Sequence, residues 1–146
     1  MLLWKKKGHT VKTLVISNPA KRILYLSKSW VGKIHDFRFL KAEFPLHQKW
    51  FQKFKVRVDL GYLGIDKEYE CKELMLPHKK AKKGELSAEQ KQANQEMASE
   101  RISVEQSIGG LKRYRILSDR LRCHDANFYD QVLGVCAGLW NFYLFA

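Results

Sequence analysis

Apolar and polar residues along the chain mark out a short series of elements. T-V-K-T-L-V-I over residues 10–16 is rich in β-branched side chains and partly alternates, which predicts a strand. Asn18-Pro19 ends it, because proline removes a backbone donor and the pair favours a turn. R-I-L-Y-L-S at 22–27 then predicts a second strand, and the short connection predicts an antiparallel hairpin. Phe37, Leu40 and Phe44 fall at helical spacing, so residues 36–43 are expected to be a helix with Asp36 as its N-cap and Pro45 as its stop. Residues 55–58, K-V-R-V, alternate and lead into Asp59, after which D-L-G-Y-L-G supplies two glycines for a tight turn. A further short strand fits 73–76, before Pro77. Ser87 and Gln90 make a capping box at the head of a helix running towards Tyr114, which Gly109 and Gly110 are expected to interrupt. In the final helix, about residues 126–143, Phe128, Val132, Val135, Leu139 and Phe142 form one stripe expected to face the core. The order predicts a single α/β domain over residues 1–146.

Composition adds a partner class. Lys and Arg number 27 against 15 Asp and Glu, a net charge of +12, while hydrophobic residues make up 45% of the chain. That apolar share excludes a wholly disordered basic tail, and the charge points to a polyanion, with DNA or RNA ahead of an anionic membrane. Three cysteines, Cys71, Cys123 and Cys136, lie far apart and form no C-x-x-C pair, so we expect reduced thiols in a cytoplasmic protein. The opening M-L-L-W-K-K-K has its charge after its apolar residues, the reverse of an export signal. The apolar end from Val132 is interrupted by Gly134, Gly138 and Asn141, and it is too short to span a membrane. H-K-K-A-K-K-G at 78–84 reads as a solvated lysine loop, with phosphate contact as the alternative.

Two acids are the candidates for chemistry. Asp59 closes a strand on a glycine turn, where α/β sheets present ligands, or is an ordinary turn aspartate. Glu105 sits in R-I-S-V-E-Q-S-I-G-G-L-K-R-Y-R beside the apolar positions Val104, Ile108 and Leu111, with Arg101 one turn before and Lys112 two turns after. Its plainer role is an exposed ion pair with Arg101. Together, carboxylates for a divalent metal and cations for a nucleic-acid backbone match the needs of a phosphodiester enzyme.

V-D-L-G-Y-L-G-I, R-I-S-V-E-Q-S-I-G-G-L-K-R-Y-R-I-L, K-K-K-G-H-T-V-K-T, G-K-I-H-D-F and V-C-A-G-L-W-N-F together resemble the catalytic domain of DDE-type transposases of bacterial insertion sequences, over almost the whole chain. The resemblance implies a ribonuclease-H-like core in which two aspartates and a glutamate bind two divalent ions, Mg²⁺ or Mn²⁺, for DNA cleavage and strand transfer. Asp59 corresponds to the second aspartate and Glu105 to the glutamate, both metal ligands. Arg101, Lys112, Arg113 and Arg115 correspond to basic positions that would face DNA. The strand carrying the first aspartate, central in the family's sheet, precedes the K-K-K-G-H-T-V-K-T block and has no counterpart here. Asp36 does not replace it in the family pattern, and His35 is expected to hydrogen-bond locally.

The fold expected is therefore a partial ribonuclease-H-like α/β domain lacking its first, central strand. Unpaired sheet edges cost stability, so such a chain is expected to fold poorly, to pair its strands differently or to dimerise. The function expected is that of the C-terminal part of a transposase, inactive alone, with double-stranded DNA as its partner. Self-association or a separately encoded N-terminal part would complete it, and no membrane is involved. The alternative is a non-catalytic basic nucleic-acid-binding protein or a regulator of a full-length transposase.

Overall fold

The computed structural model describes residues 2–3, 11–79, 85–119 and 125–146. Lys5 to Thr10, the lysines from Lys80 onward in the 78–84 run, and Cys123 lie outside the described residues. The chain is mixed α/β and divides into two compact units, Met1–Lys33 with Arg101–Ala146, and Ile34–Glu100.

In the first unit the strand expected over 10–16 is two strands with different partners. β1 (Leu2–Leu3), β2 (Val11–Thr13) and β5 (Trp30–Val31) form an antiparallel sheet in the order β1-β2-β5, whereas β3 (Val15–Ser17) pairs antiparallel with β4 (Ile23–Leu26). The change occurs at Leu14, whose N–H donates to the Ser27 hydroxyl at 2.8 Å while its carbonyl accepts from the Ser27 N–H at 3.0 Å. The expected hairpin is present as β3–β4. Its turn is built by Asn18, whose side-chain oxygen accepts from the Arg22 N–H at 2.9 Å and whose carbonyl accepts from Lys21, a non-glycine residue at φ 67°.

Two helices cover this hairpin. α3 (Ala88–Lys112) begins on the expected capping box, with the Ser87 hydroxyl accepting from the Gln90 N–H and the Gln90 side chain accepting from the Ser87 N–H, each at 3.1 Å. It then passes through Gly109 and Gly110 without a break, contrary to expectation. The short helix α4 (Arg115–Ser118) follows, and α5 (Ala126–Phe145) is capped by the Asp125 carboxylate accepting from the Asn127 and Phe128 N–H groups. Val15, Ile23, Leu111, Leu117, Leu133, Cys136, Ala137 and Trp140 make the core.

The stripe expected to bury α5 is on the wrong side. Phe128, Val135, Leu139 and Phe142 are exposed and Val132 is only partly buried, while Leu133, Cys136, Ala137 and Trp140 face inward. Hydrogen bonding decides this. The Trp140 indole N–H donates to the Lys21 carbonyl at 3.0 Å, and the Asn141 amide brackets Ile23, accepting from its N–H at 2.8 Å and donating to its carbonyl at 2.9 Å. Apolar periodicity alone cannot weigh such bonds.

In the second unit α1 (Asp36–Glu43) has the expected extent, but its N-cap is His35, whose Nδ1 accepts from the Phe37 N–H at 3.3 Å, and Asp36 is its first residue. β6 (Lys55–Arg57) and β7 (Glu73–Met75) form a two-stranded parallel sheet, joined by a 3₁₀ turn at Leu60–Tyr62 and by α2 (Ile65–Glu68). Phe44, Trp50, Phe51 and Tyr69 cluster, edge-to-face in the Phe44–Trp50 and Phe51–Tyr69 pairs and tilted in Phe44–Phe51, with the Tyr69 hydroxyl donating to the Phe44 carbonyl.

Gly110 shows why the helix tolerates its glycines. A Cβ there would fall 2.4 Å from the Trp140 ring, whereas one at Gly109 would meet nothing within 4 Å. Gly110→Ala is expected to destabilise the fold by about 2 kcal/mol or more through overpacking. Gly109→Ala is expected to stabilise it by roughly 0.5–1 kcal/mol through helix propensity. Urea denaturation of the two variants checks this opposition of sign.

Candidate functional site

Asp59 stands where the sequence places it, beyond the end of β6. The ladder reaches Val58, whose N–H donates to the Met75 carbonyl at 3.2 Å, and Asp59 then turns the chain. Its Oδ1 accepts from the Leu60 N–H at 2.6 Å, and its carbonyl accepts from the Tyr62 N–H at 3.0 Å, closing the 3₁₀ turn. Gly64, at φ 95°, is left-handed and leads into α2, a conformation that strains any side-chain-bearing residue. The strand end, the turn and the glycine therefore hold Asp59 at a fixed place on a partly exposed surface.

Two neighbours were not legible as a group. Asp36 lies against the turn: a Cβ at Gly61 would sit 3.0 Å from its Oδ2. Tyr62 is buried, and its phenol is pushed well above the usual range, first by burial and then by the negative charges of Asp36 and Asp59. Asp36 and Asp59 thus face one phenol from α1 and from the turn. The signal in the sequence is D-L-G-Y itself, which returns the tyrosine beside the aspartate after one 3₁₀ turn.

Glu105 belongs to the other unit, on α3. The expected ion pair with Arg101 is formed: the Arg101 Nε and Nη2 donate to Glu105 Oε1 at 3.2 and 3.1 Å, with both side chains more than half exposed. Such an exposed pair contributes only about 0.3–0.5 kcal/mol, so it leaves Glu105 readily available to another cation. The remaining basic candidates follow within a few residues. Lys112 is exposed at the end of α3, and the Arg115 side chain, 88% exposed, pairs with Asp119 at 3.5 Å. Arg113 places its guanidinium 5.5 Å from the Trp140 ring centre and 5.7 Å from that of Tyr143, rings that stack on one another.

Among the described residues no three His, Cys, Asp or Glu side chains come together as a group that could hold a metal ion. Carboxylate oxygens are the right donors for a hard divalent cation, but their number falls short. Burial pushes the described thiols, Cys71 and Cys136, up, which disfavours their thiolates. No described helix is long and apolar enough to cross a membrane.

Comparison with known proteins gives two findings. The family model described as DDE superfamily endonuclease matches residues 2–141. A probable transposase for insertion sequence element IS702, from Microchaete diplosiphon, is 37% identical over 141 residues, covering 96% of this chain and 49% of that protein. The chain therefore spans about half the length of the curated relative it matches. No solved structure matches it.

Two outcomes test this geometry. Asp36→Asn and Asp59→Asn are each expected to lower the Tyr62 titration point, because each removes a negative charge that opposes the phenolate; NMR of ¹³C-labelled tyrosine follows the ring directly. Arg113→Ala is expected to destabilise the fold by roughly 0.5–1 kcal/mol through loss of its cation–π contacts, measured by thermal denaturation against Lys112→Ala as the exposed control.

Proposed function

The chain belongs to the DDE superfamily of endonucleases, and on that premise we propose that it is the C-terminal part of a transposase that binds DNA and supplies Asp59 and Glu105 to a metal-dependent centre. The observation that carries the reading is the family match over residues 2–141, with Asp59 set at a strand end and Glu105 on a surface helix among cations. Endonucleases of this superfamily generally use divalent metal ions, and Mg²⁺ or Mn²⁺, two in the complete enzyme, are the ions such oxygen ligands favour.

The missing ligand defines the rest of the proposal. Asp59 and Glu105 are two of the three carboxylates that the resemblance implies, and on this reading the chain alone does not cut DNA. A carboxylate carried by a central strand from another segment, encoded separately or brought by self-association, completes a ribonuclease-H-like core. Two observations accord with that. β6 pairs only with β7 among the described residues, although parallel strands normally lie inside larger sheets. The curated relative is about twice as long as the matched region.

In this chain Lys112 and Arg115 hold phosphates, with Arg101 and Arg113 at the rim of the same basic surface; transposon ends and target DNA are the proposed partners. A second reading is a non-catalytic DNA-binding regulator of a full-length transposase. The Arg101–Glu105 pair favours it, since a glutamate already held by arginine lowers repulsion from DNA without any metal.

Incubating the chain with supercoiled DNA and Mg²⁺ or Mn²⁺ is expected to give binding without nicking. Robust nicking abolished by Asp59→Ala would show that the centre is complete. Lys112→Gln and Arg115→Gln are each expected to weaken DNA binding and to flatten the salt dependence of log K by about one. Unchanged slopes in a filter-binding titration would remove these residues from the DNA surface.

A further inference from the structure

The last turn of α5 sets aromatic rings and guanidinium groups side by side, all within one compact unit. At about 100° per residue, Phe145, Phe142 and Tyr143 succeed one another around the helix, and they are 65%, 73% and 63% exposed. The two outer rings of this row each carry an arginine. Arg22, from the hairpin, lies over the Phe145 ring, 5.4 Å from its centre, and Arg113, from just beyond α3, lies 5.7 Å from the centre of Tyr143. Tyr143 is also held from below: it stacks on the buried Trp140 ring, with centroids 5.9 Å apart and planes 26° apart, and Trp140 is fixed by its bond to the Lys21 carbonyl. Part of the row is therefore ordered by the core itself, and less freedom is lost when a ligand arrives.

Both arginines keep their charge for a ligand. Arg101 and Arg115 are paired with Glu105 and Asp119, whereas among the described residues Arg22 and Arg113 meet aromatic rings and no carboxylate. Both are exposed, and residues 131–146 bring no Asp or Glu to this end of the helix. The complement of such a surface is a ligand with flat π-faces and with negative charges on either side of them. A nucleic acid has both, but a duplex keeps its base faces stacked inside, and a strand with unpaired bases presents them. Arginine serves that ligand twice, by its charge on phosphate and by its planar face against a base. An anionic lipid surface meets the charge and leaves the π-faces unused.

We propose that the last turn of α5 is a stacking platform for unpaired bases of single-stranded DNA, with bases on Phe145, Phe142 and Tyr143 and phosphates on Arg22 and Arg113. The proposal rests on the transposase reading for the choice of DNA alone. It needs no metal and does not involve Asp59, Glu105, Lys112 or Arg115.

Fluorescence anisotropy of the full chain with three labelled ligands of one length tests it: oligo-dT, the same sugar-phosphate strand without bases, and a duplex. At raised salt, where the phosphate contribution is weakest, oligo-dT is expected to bind about tenfold or more tightly than the abasic strand. Tyr143→Leu with Phe145→Leu keeps apolar bulk and removes two π-faces, and is expected to lose most of that advantage with duplex affinity unchanged; Tyr143→Phe is expected to keep it. Should the double variant prove unfolded by far-UV circular dichroism, Phe142→Leu, at the most exposed of the three rings, reads the same loss in a folded chain. Equal binding of oligo-dT and the abasic strand overturns the platform, as does a folded leucine variant that binds oligo-dT like the wild type. If duplex affinity is intact in those cases, the transposase reading still stands. A chain that prefers oligo-dT but fails to bind duplex removes that reading and not the platform. Release of bound oligo-dT by phosphatidylglycerol vesicles at raised salt assigns the rings to a lipid surface and overturns the platform too.

Discussion

The carbonyl of Lys21 accepts two hydrogen bonds, one from the Ser107 hydroxyl at 2.9 Å and one from the Trp140 indole at 3.0 Å. It thereby joins the hairpin turn to α3 and to α5 at a single oxygen. The backbone at Lys21 is left-handed, a conformation that costs an L-residue about 1 kcal/mol or more, and it is kept because the buried Trp140 indole N–H has to be satisfied, while the Ser107 hydroxyl is shared with the Ser103 carbonyl at 2.9 Å. Ser107 is fully buried and Trp140 nearly so, and the indole reaches its partner only because Gly110 has no side chain in the way. Turn strain, helix glycine and core tryptophan are thus one constraint seen from three elements.

That constraint explains which parts of the fold were legible. Local signals worked: the capping box at Ser87 and Gln90, the hairpin around Asn18, the extent of α1 and the strand leading into Asp59 are each decided by residues within a few positions of one another. Long-range choices did not. The stripe of large apolar residues on α5 outweighs the opposite face in hydrophobicity, yet the side that reaches Lys21 and Ile23 is the side that is buried, since Trp140 and Asn141 satisfy backbone groups there. The partner change at Leu14 and the cap at His35, in place of Asp36, likewise depend on groups that periodicity does not register.

The candidate site divides in the same way. Asp59 was legible because a carboxylate, a strand end and a glycine turn are consecutive in sequence. Its neighbours Asp36 and Tyr62 were not read as a group, because Asp36 arrives from α1, and the raised phenol reports that closeness more directly than any motif. Among the candidate DNA-facing residues, Arg113 has neighbours in the fold that add a second role. Its guanidinium lies over the core ring of Trp140 and the exposed ring of Tyr143, so that charge and packing are joined in one side chain.

Asn141 has a consequence at the scale of many molecules. By accepting from the N–H and donating to the carbonyl of Ile23, its amide takes the two hydrogen-bonding positions that an incoming strand would need on the outer side of β4. Exposed strand edges are where chains add to one another without limit. A side chain that imitates a neighbouring strand for one residue ends the sheet from within, so association through this hairpin edge is blocked at that point by the protein's own helix, and growth into a fibre would first have to pull α5 away.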